Sequence, residues 1–327
     1  MNNAVDIDHL PWLENLTKQI KQSSLPNILI IEGSSGLGKY IFSKKLIQSK
    51  FCSTADGCNN CSGCHLINAD THPDFLNFNL SKDEPITVEY ISRRSNPSKY
   101  KGTPLIDFMN FTATSSNHRI ALINHAQSMN KHAQNALLKT LEDFNTNNHI
   151  ILISDSRNSL LPTIYSRAQS MLIKSPTQIE IKEWLESIGY FDINITKFPT
   201  YMSPLEIKEL IDDDTSDEFI NFYESLTKLI NHKGSYDDVY SVINKIKIQF
   251  NDKLSYLVEF LKSQLAKQLD FEPNSQSDLK LNTSKTTELS DLIEEIIDHQ
   301  TQLKVIPSLN EQIGMNYFFS KLYNTYH

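Results

Sequence analysis

The chain has 327 residues, of which 39% are hydrophobic and 21% charged, and its formal net charge at pH 7 is −8. This length predicts two or three domains with a sizeable core, and the acidic balance argues against a protein that coats nucleic acid through a strongly positive field. No apolar run approaches the ~20 residues of a membrane span. The opening MNNAVDIDHLPW is acidic and broken by Pro11, unlike a secretory signal. We therefore expect a cytoplasmic protein without membrane partners.

Five short apolar runs in the first half predict the strands of a parallel sheet. They are Asn27–Glu32, Asp74–Phe78, Arg119–Asn124, His149–Ser154 and Gln169–Ile173. Strands that are apolar along their whole length are typical of a sheet covered on both faces. Between the third and fourth runs, Asn130–Asp143 carries apolar residues at helical spacing. This alternation predicts an α/β domain over residues 1–174.

A glycine-rich loop follows the first of these strands and opens a helix. Gly33, Gly36, Gly38 and Lys39 fit the spacing G-x-x-x-x-G-K-[ST] of phosphate-binding loops, in which backbone N–H groups cradle phosphate and the lysine reaches the terminal phosphates. Tyr40 stands where a Ser or Thr hydroxyl should bind magnesium, and its phenol oxygen lies too far from the backbone for that role. The loop predicts ancestry in a nucleotide-binding fold. Binding of ATP or ADP through the glycines and lysine is the alternative to a turn that is kept only for packing.

All four cysteines follow closely, with the spacing Cys52-x5-Cys58-x2-Cys61-x2-Cys64. Two overlapping C-x-x-C pairs let thiolates converge on a tetrahedron with zinc–sulfur distances of about 2.3 Å. In a reducing cytosol this spacing predicts one structural zinc ion with no open position, and therefore no catalysis by the metal. His65 is the alternative to Cys52 as the fourth ligand. Free or disulfide-bonded thiols are the alternative to a metal site.

A second magnesium position is lost where the third predicted strand ends. Active nucleotide hydrolases place acidic residues there, which hold the ion and polarise the attacking water. Here Asn124 and His125 occupy those positions, and neither is a carboxylate. We therefore expect no Mg²⁺ site and no ATP hydrolysis by this chain. A general base at His125 is the alternative to an ordinary polar histidine.

Beyond Ser175-Pro176 the periodicity becomes entirely helical. Two short helical patterns occupy residues 175–213, and longer ones occupy residues 214–327. Their apolar stripes predict the core of a helical bundle rather than a cofactor site. Stripe residues include Val239, Val242, Ile246, Ile293, Ile296 and Ile297. The predicted fold class is α/β followed by all-α.

Four segments together resemble the delta-prime subunits of the bacterial DNA polymerase III clamp loader, a family of degenerate AAA+ proteins. They are GSSGLGK at 33–39, the cysteine cluster followed by HPD at 72–74, NALLKTLE at 135–142 and LPTIYSR at 161–167. The choice of delta-prime over the ATP-hydrolysing gamma/tau subunits depends on the two lost magnesium positions. A zinc-ribbon nucleic-acid-binding module is a further alternative, but residues 52–72 contain no Lys, Arg, Phe, Tyr or Trp.

The resemblance implies an AAA+ P-loop-type sheet with a zinc module at 52–64, a small helical lid at 175–213 and a collar domain at 214–327 that mediates oligomerisation. It implies a hetero-pentamer with gamma/tau and delta subunits that places the sliding clamp on primed DNA, within the DNA polymerase holoenzyme.

The resemblance also assigns a role to Arg167, as an arginine finger acting in trans on the ATP of a neighbouring subunit. Arg157 is the weaker candidate for this role, and an ordinary surface ion pair is the alternative for Arg167. In the lid, MSPLE at 202–206 stands where active members carry Gly-Ser-Pro-Gly-Arg, with Glu206 in place of the arginine. A third nucleotide contact is therefore lost.

Overall fold

The structure is a computed structural model, and the chain divides into two compact units. The first is Met1–Ile195 with Ser203–Glu206, and the second is Thr196–Met202 with Ile207–His327. The residues that the structure describes are 10–22, 24–80, 84–92, 102–114, 117–142, 147–231, 236–246, 248–269, 283–305 and 311–326. The predicted division into three domains, at 174/175 and 213/214, stays a prediction.

The first unit is built on a five-stranded sheet in which every pairing is parallel. Its strands are β1 Ile28–Glu32, β2 Phe75–Phe78, β3 Arg119–Ile123, β4 Asn148–Ser154 and β5 Gln169–Leu172. Their order across the sheet is β2-β3-β4-β1-β5. Every residue of β1, β3 and β4 is buried, as expected of central strands between two layers of helices. All five predicted strands are confirmed, each with one end moved by one residue.

Eight helices accompany the sheet in the described part of this region. They are α1 Pro11–Gln22, α2 Lys39–Phe51, α3 Ser62–Asn68, α4 Val88–Ile91, α5 Leu105–Asn110, α6 Lys131–Glu142, α7 Pro162–Tyr165 and α8 Gln178–Ser187. The predicted helix Asn130–Asp143 is α6, and Asp143 itself lies outside the described residues. Ala133 and Leu137 of α6 are fully buried in one core with Ile150 and Leu152 of β4.

The remaining helices are α9 Pro204–Asp212, α10 Ser216–Ile230, α11 Tyr236–Lys245, α12 Phe250–Leu269, α13 Thr283–Val305 and α14 Glu311–Tyr326. The second unit has one apolar core, in which the rings of Phe222 and Phe319 meet edge to face at 6.3 Å. The predicted helical bundle is therefore confirmed. Val242 and Ile297 are exposed, so their assignment to the core is wrong. Ile297 follows the fully buried Ile296, and because neighbours on a helix point about 100° apart, Ile297 lies at the solvent side of the buried stripe.

None of the described helices is both long enough and apolar enough to cross a bilayer.

Parallel pairing determines where the candidate site lies. The carboxyl ends of parallel strands meet at one edge of a sheet, and polar residues there form the usual ligand crevice of an open α/β fold. Gly33 follows β1, Asn124 follows β3 and Asp155 follows β4. The phosphate-loop remnant, the lost magnesium position and a carboxylate are therefore neighbours at this edge.

Candidate functional site

The glycines of the phosphate-loop remnant have backbone angles that favour glycine. Gly36 has φ +70° and Gly38 has φ +81°, both in the left-handed region that favours glycine. A Cβ on Gly38 would lie 2.7 Å from Leu10 Cδ1, and one on Gly33 would lie 2.7 Å from the carbonyl oxygen of Ile173. Close packing and backbone conformation thus account for the predicted glycines without any ligand.

The Lys39 ammonium is buried and contacts three oxygens of its own chain. Its Nζ donates to the carbonyl oxygens of Gly33 at 2.7 Å and Ser34 at 2.5 Å, and it lies 2.7 Å from Asp155 Oδ1. An ammonium has three N–H donors, and these three oxygens are acceptors for all of them. In a working phosphate loop this lysine reaches the terminal phosphates. A phosphate entering here would have to displace the Asp155 carboxylate.

Asp155 was not among the predicted site residues, although its place directly after β4 could have identified it. Its Oδ2 lies 3.3 Å from Nδ1 of His125 and accepts a hydrogen bond from Gln127 Nε2, also at 3.3 Å. The Asp155 backbone N–H donates back to Gln127 Oε1. The carboxylate beside His125 is thus itself paired with Lys39, and the general-base alternative for His125 stays a prediction.

The segment Ser203–Glu206 covers Gly36. A Cβ on Gly36 would lie 1.8 Å from Ser203 Oγ, and the Leu205 N–H donates to the Gly36 carbonyl oxygen at 3.4 Å. Glu206 Oε2 accepts from Ser203 N at 2.9 Å and from Ser203 Oγ at 2.7 Å. This is the capping-box arrangement of a helix N-terminus. The acid that replaces the expected arginine therefore caps α9 and offers no positive charge to a phosphate.

The two residues at the lost magnesium positions bind polar side chains near β2. Tyr40 Oη accepts a hydrogen bond from Asn77 Nδ2 at 2.7 Å, and Asn124 Nδ2 donates to Asn79 Oδ1 at 3.1 Å. Burial raises the pKa of the Tyr40 phenol, which therefore stays neutral at physiological pH. A neutral phenol and an amide are poor substitutes for the anionic oxygens that hold Mg²⁺.

The four cysteine Sγ atoms all lie within 4.8 Å of one another. Tetrahedral zinc with zinc–sulfur distances of about 2.3 Å requires sulfur–sulfur distances of about 3.8 Å, and Sγ of Cys52 and Cys61 are 3.9 Å apart. The four cysteines that the structure brings together, Cys52, Cys58, Cys61 and Cys64, thus fit one metal ion such as zinc. Among the described residues, His65 is not a member of this group, so the group gives no support to His65 as the fourth ligand.

Hydrogen bonds within the cysteine cluster favour the thiolate form at two positions. Burial raises the pKa of Cys52, but bonds from Cys58 and Thr54 outweigh it and lower that pKa to about 5. A bond from the Cys64 backbone N–H lowers the pKa of Cys61 to about 7. Burial raises the pKa of Cys64 to about 12. A bound metal would deprotonate that thiol, because a coordinating thiol loses its proton outright.

Arg167 lies between α7 and the edge strand β5, and its side chain is exposed. Its Nη1 donates to the carbonyl oxygen of Thr163 at 3.2 Å. Arg157 is also exposed, in the loop between β4 and α7. Both arginines thus lie on the segment that connects β4 to β5.

Comparison with known proteins identifies the family. Residues 9–177 match the model of a family described as DNA polymerase III, delta subunit. A DNA polymerase III subunit delta' from Haemophilus influenzae is 30% identical over 184 residues, which cover 54% of this chain and 53% of that protein. The subunit delta' of Pseudomonas aeruginosa is 30% identical over 183 residues, covering 54% and 52%. The chain spans about half the length of the curated relatives it matches.

Among solved structures, a DNA polymerase III gamma subunit-related protein from Thermotoga maritima aligns with 97% of this chain and 100% of its own, at 15% identity and a TM-score of 0.44. The family assignment depends on the sequence matches. The family model covers more than half of the 327 residues. The two delta' subunits above are each 30% identical to this chain over the aligned residues. The chain belongs to the DNA polymerase III delta subunit family, with delta-prime subunits as its relatives.

Proposed function

We propose that this chain is a non-hydrolysing, delta-prime-like subunit of the bacterial DNA polymerase III clamp loader. In this proposal it joins gamma/tau and delta subunits in a cytoplasmic hetero-pentamer that places the sliding clamp on primed DNA. The observation that carries the non-hydrolysing role is the Lys39–Asp155 ion pair at the phosphate loop. Family membership carries the clamp-loader role.

Three features of the phosphate loop support the absence of ATP hydrolysis. The Lys39 charge is compensated by Asp155. Ser203 occupies the space over Gly36, where backbone N–H groups would have to receive phosphate. Tyr40 points its hydroxyl at Asn77 instead of supplying a magnesium ligand. These losses weigh against the gamma/tau-like alternative, because ATP hydrolysis requires the metal and the lysine together.

The proposed active contribution of the chain is Arg167, acting on the ATP of a neighbouring subunit. A finger must be exposed and must project from a fixed backbone, and Arg167 follows α7 at the edge of the sheet. A guanidinium is permanently charged and can make two parallel hydrogen bonds to phosphate oxygens. Such fingers contribute about 10³–10⁵ in rate where they complete an intact site.

The proposed role of the cysteine cluster is structural. Four thiolates would close the coordination shell of zinc and leave no position for water or substrate. The cluster joins the end of α2 to α3, since Cys52 caps α2 and Cys61 caps α3. Zinc would therefore hold these two helices together without taking part in a reaction.

Reconstituted complexes test the proposal. Arg167→Ala should assemble normally and keep its zinc, but the complex should lose the share of clamp- and DNA-stimulated ATP turnover contributed by the adjacent subunit. Arg157→Ala is the matched comparison, because it removes another exposed arginine from the preceding loop. Loss of turnover with Arg157→Ala but not with Arg167→Ala would show that the finger is misassigned. Unchanged turnover in both would refute a finger from this chain.

A further inference from the structure

Glu32 is a buried carboxylate that neither the phosphate loop nor the cysteine cluster uses. It ends β1, directly before Gly33, and is 7% exposed. Its Oε1 accepts two hydrogen bonds, from the Tyr165 hydroxyl at 2.6 Å and from the Asn158 N–H at 3.1 Å. One carboxylate oxygen at the end of β1 therefore holds both the loop before α7 and α7 itself.

The helix α7 depends on such contacts for its position. It has four residues, Pro162–Tyr165, and a helix this short is not stable on its own. Ile164 anchors it in the core, and the Tyr165 hydroxyl ties its last residue to Glu32. Contacts from the rest of the unit thus decide where α7 lies.

Arg167 is attached to α7 by both its backbone and its side chain. Its N–H donates to the carbonyl oxygen of Ile164 at 3.0 Å, and its Nη1 donates to that of Thr163 at 3.2 Å. A shift of α7 therefore carries the guanidinium with it. Tyr165 lies two residues before Arg167, so its bond to Glu32 fixes the chain close to that guanidinium.

The Tyr165 hydroxyl remains a donor over the physiological pH range. Burial, the hydrogen bond to Glu32 and the charge of that carboxylate all raise the pKa of the Tyr165 phenol. Hydrogen bonds to an ionised acceptor are shorter and roughly twice as strong as neutral ones. The bond between Tyr165 and Glu32 is therefore well suited to fix a short segment.

We propose that Glu32 and Tyr165 are positioning residues for the arginine finger. The Glu32 carboxylate, through the Tyr165 hydroxyl and the Asn158 N–H, fixes the segment from which Arg167 reaches a neighbour's ATP. This inference rests on the proposed function of Arg167. Neither positioning residue touches the neighbour's nucleotide, so their effect on turnover passes through Arg167 alone.

The test uses assembled complexes that carry Tyr165→Phe, which removes one hydroxyl. At the adjacent subunit kcat should fall about tenfold, because small misplacements of a catalytic group have large effects on rate. KM for ATP should stay unchanged, because a finger acts in the transition state. The matched control is Tyr90→Phe, which removes a similar bond, 2.7 Å from the Tyr90 hydroxyl to Glu84 Oε1, and should leave kcat unchanged.

Further variants separate positioning from general damage. Glu32→Ala removes the acceptor and should lower kcat about as much as Tyr165→Phe does, whereas Glu32→Gln keeps an oxygen acceptor and should lower it less. An unchanged kcat in Glu32→Ala would overturn the inference. In an Arg167→Ala background Tyr165→Phe should cause no further loss, and an equal loss with and without Arg167 would also overturn it. If Arg167→Ala lowers turnover and Tyr165→Phe does not, the positioning role fails while the finger stands. If Arg167→Ala has no effect, the finger itself fails.

Discussion

The Lys39 ammonium lies 2.7 Å from the Asp155 carboxylate, in the place from which a phosphate-loop lysine would otherwise reach phosphate. The two side chains are 4% and 15% exposed, so both charges are largely removed from water. Removing one partner of a buried ion pair is strongly destabilising, because the other charge stays buried without compensation. The pair thus gives Lys39 a structural role that needs no nucleotide.

Removal of this ion pair should destabilise the first unit. Lys39→Ala is expected to lower the free energy of unfolding by about 3–5 kcal/mol. The double variant with Asp155→Ala should be less destabilised than the sum of the two single variants, because no charge is left unpaired. Denaturant titration followed by tryptophan fluorescence measures this, since Trp12 and Trp184 lie in the first unit with their rings 5.2 Å apart.

The control for this prediction is Lys182→Ala. Lys182 forms a pair with Glu186 in which the side chains are 52% and 45% exposed. Its loss should change the free energy of unfolding by no more than about 1 kcal/mol. Equal effects of Lys39→Ala and Lys182→Ala would contradict a buried structural role for Lys39.

The cysteine cluster should hold one zinc ion. Metal analysis of reduced protein made without chelator should give about one zinc per chain. Cys52→Ser should lose most of that zinc, because Cys52 Sγ lies 3.9 Å from Cys61 Sγ within the group of four thiols. His65→Ala is the control and should keep its zinc. Fully reduced protein without zinc, or zinc lost with His65→Ala and kept with Cys52→Ser, would refute this ligand set.

Stability of the first unit should fall at mildly acidic pH. His149 Nδ1 lies 3.0 Å from the Pro26 carbonyl oxygen, and its Nε2 lies 3.0 Å from His118 Nδ1. The carbonyl can only accept, so His149 donates through Nδ1. Since the pKa of His149 is lowered, the ring is neutral, which leaves Nε2 to accept from His118 Nδ1. Burial lowers the pKa of both His149 and His118.

The sign of the effect follows from the proton balance. Below about pH 6.5 the unfolded chain binds protons at these histidines that the folded chain does not, so the free energy of unfolding decreases as pH falls. It levels off once pH is below the lowered pKa values of the folded state. His149→Gln should reduce the difference in unfolding free energy between pH 7.5 and 5.5, measured by denaturant titration. The same difference in wild type and variant would show that the buried pair does not titrate as described.

The helices after α9 should be required for assembly. A chain that ends at Asp213 keeps the sheet and the cysteine cluster, and should retain tryptophan fluorescence and zinc, but it should not enter the pentamer. Size-exclusion chromatography with the partner subunits measures this. Assembly as efficient as that of the full chain would show that residues 214–327 are not the collar.

The strands and the helical bundle could be predicted because their signals are local. β1 and β4 are continuous apolar runs, and burial on both faces follows directly from that composition. The order of the strands across the sheet could not be predicted in this way. Placing β1 between β4 and β5 depends on contacts between segments that lie far apart in sequence.

Only part of the candidate site could be predicted, because some of its signals are local in sequence and others are contacts between distant segments. The spacing of Gly33, Gly36 and Lys39 is visible in the sequence, as is the cysteine cluster. The partners of these residues are not, because Asp155 meets Lys39 only after β1 and β4 pair, and Ser203 meets Gly36 across more than half of the chain. An acidic residue directly after a predicted strand was the one available signal for Asp155.

The most direct test of the central claim compares ATP turnover by clamp-loader complexes that contain this chain with Lys39→Ala or with Arg167→Ala. The comparison is made at equal concentrations of assembled complex, in the presence of clamp and primed DNA. If this chain hydrolyses no ATP and contributes a finger to its neighbour, Lys39→Ala leaves turnover at the wild-type level and Arg167→Ala lowers it. Turnover that falls with Lys39→Ala and stays unchanged with Arg167→Ala would contradict the account.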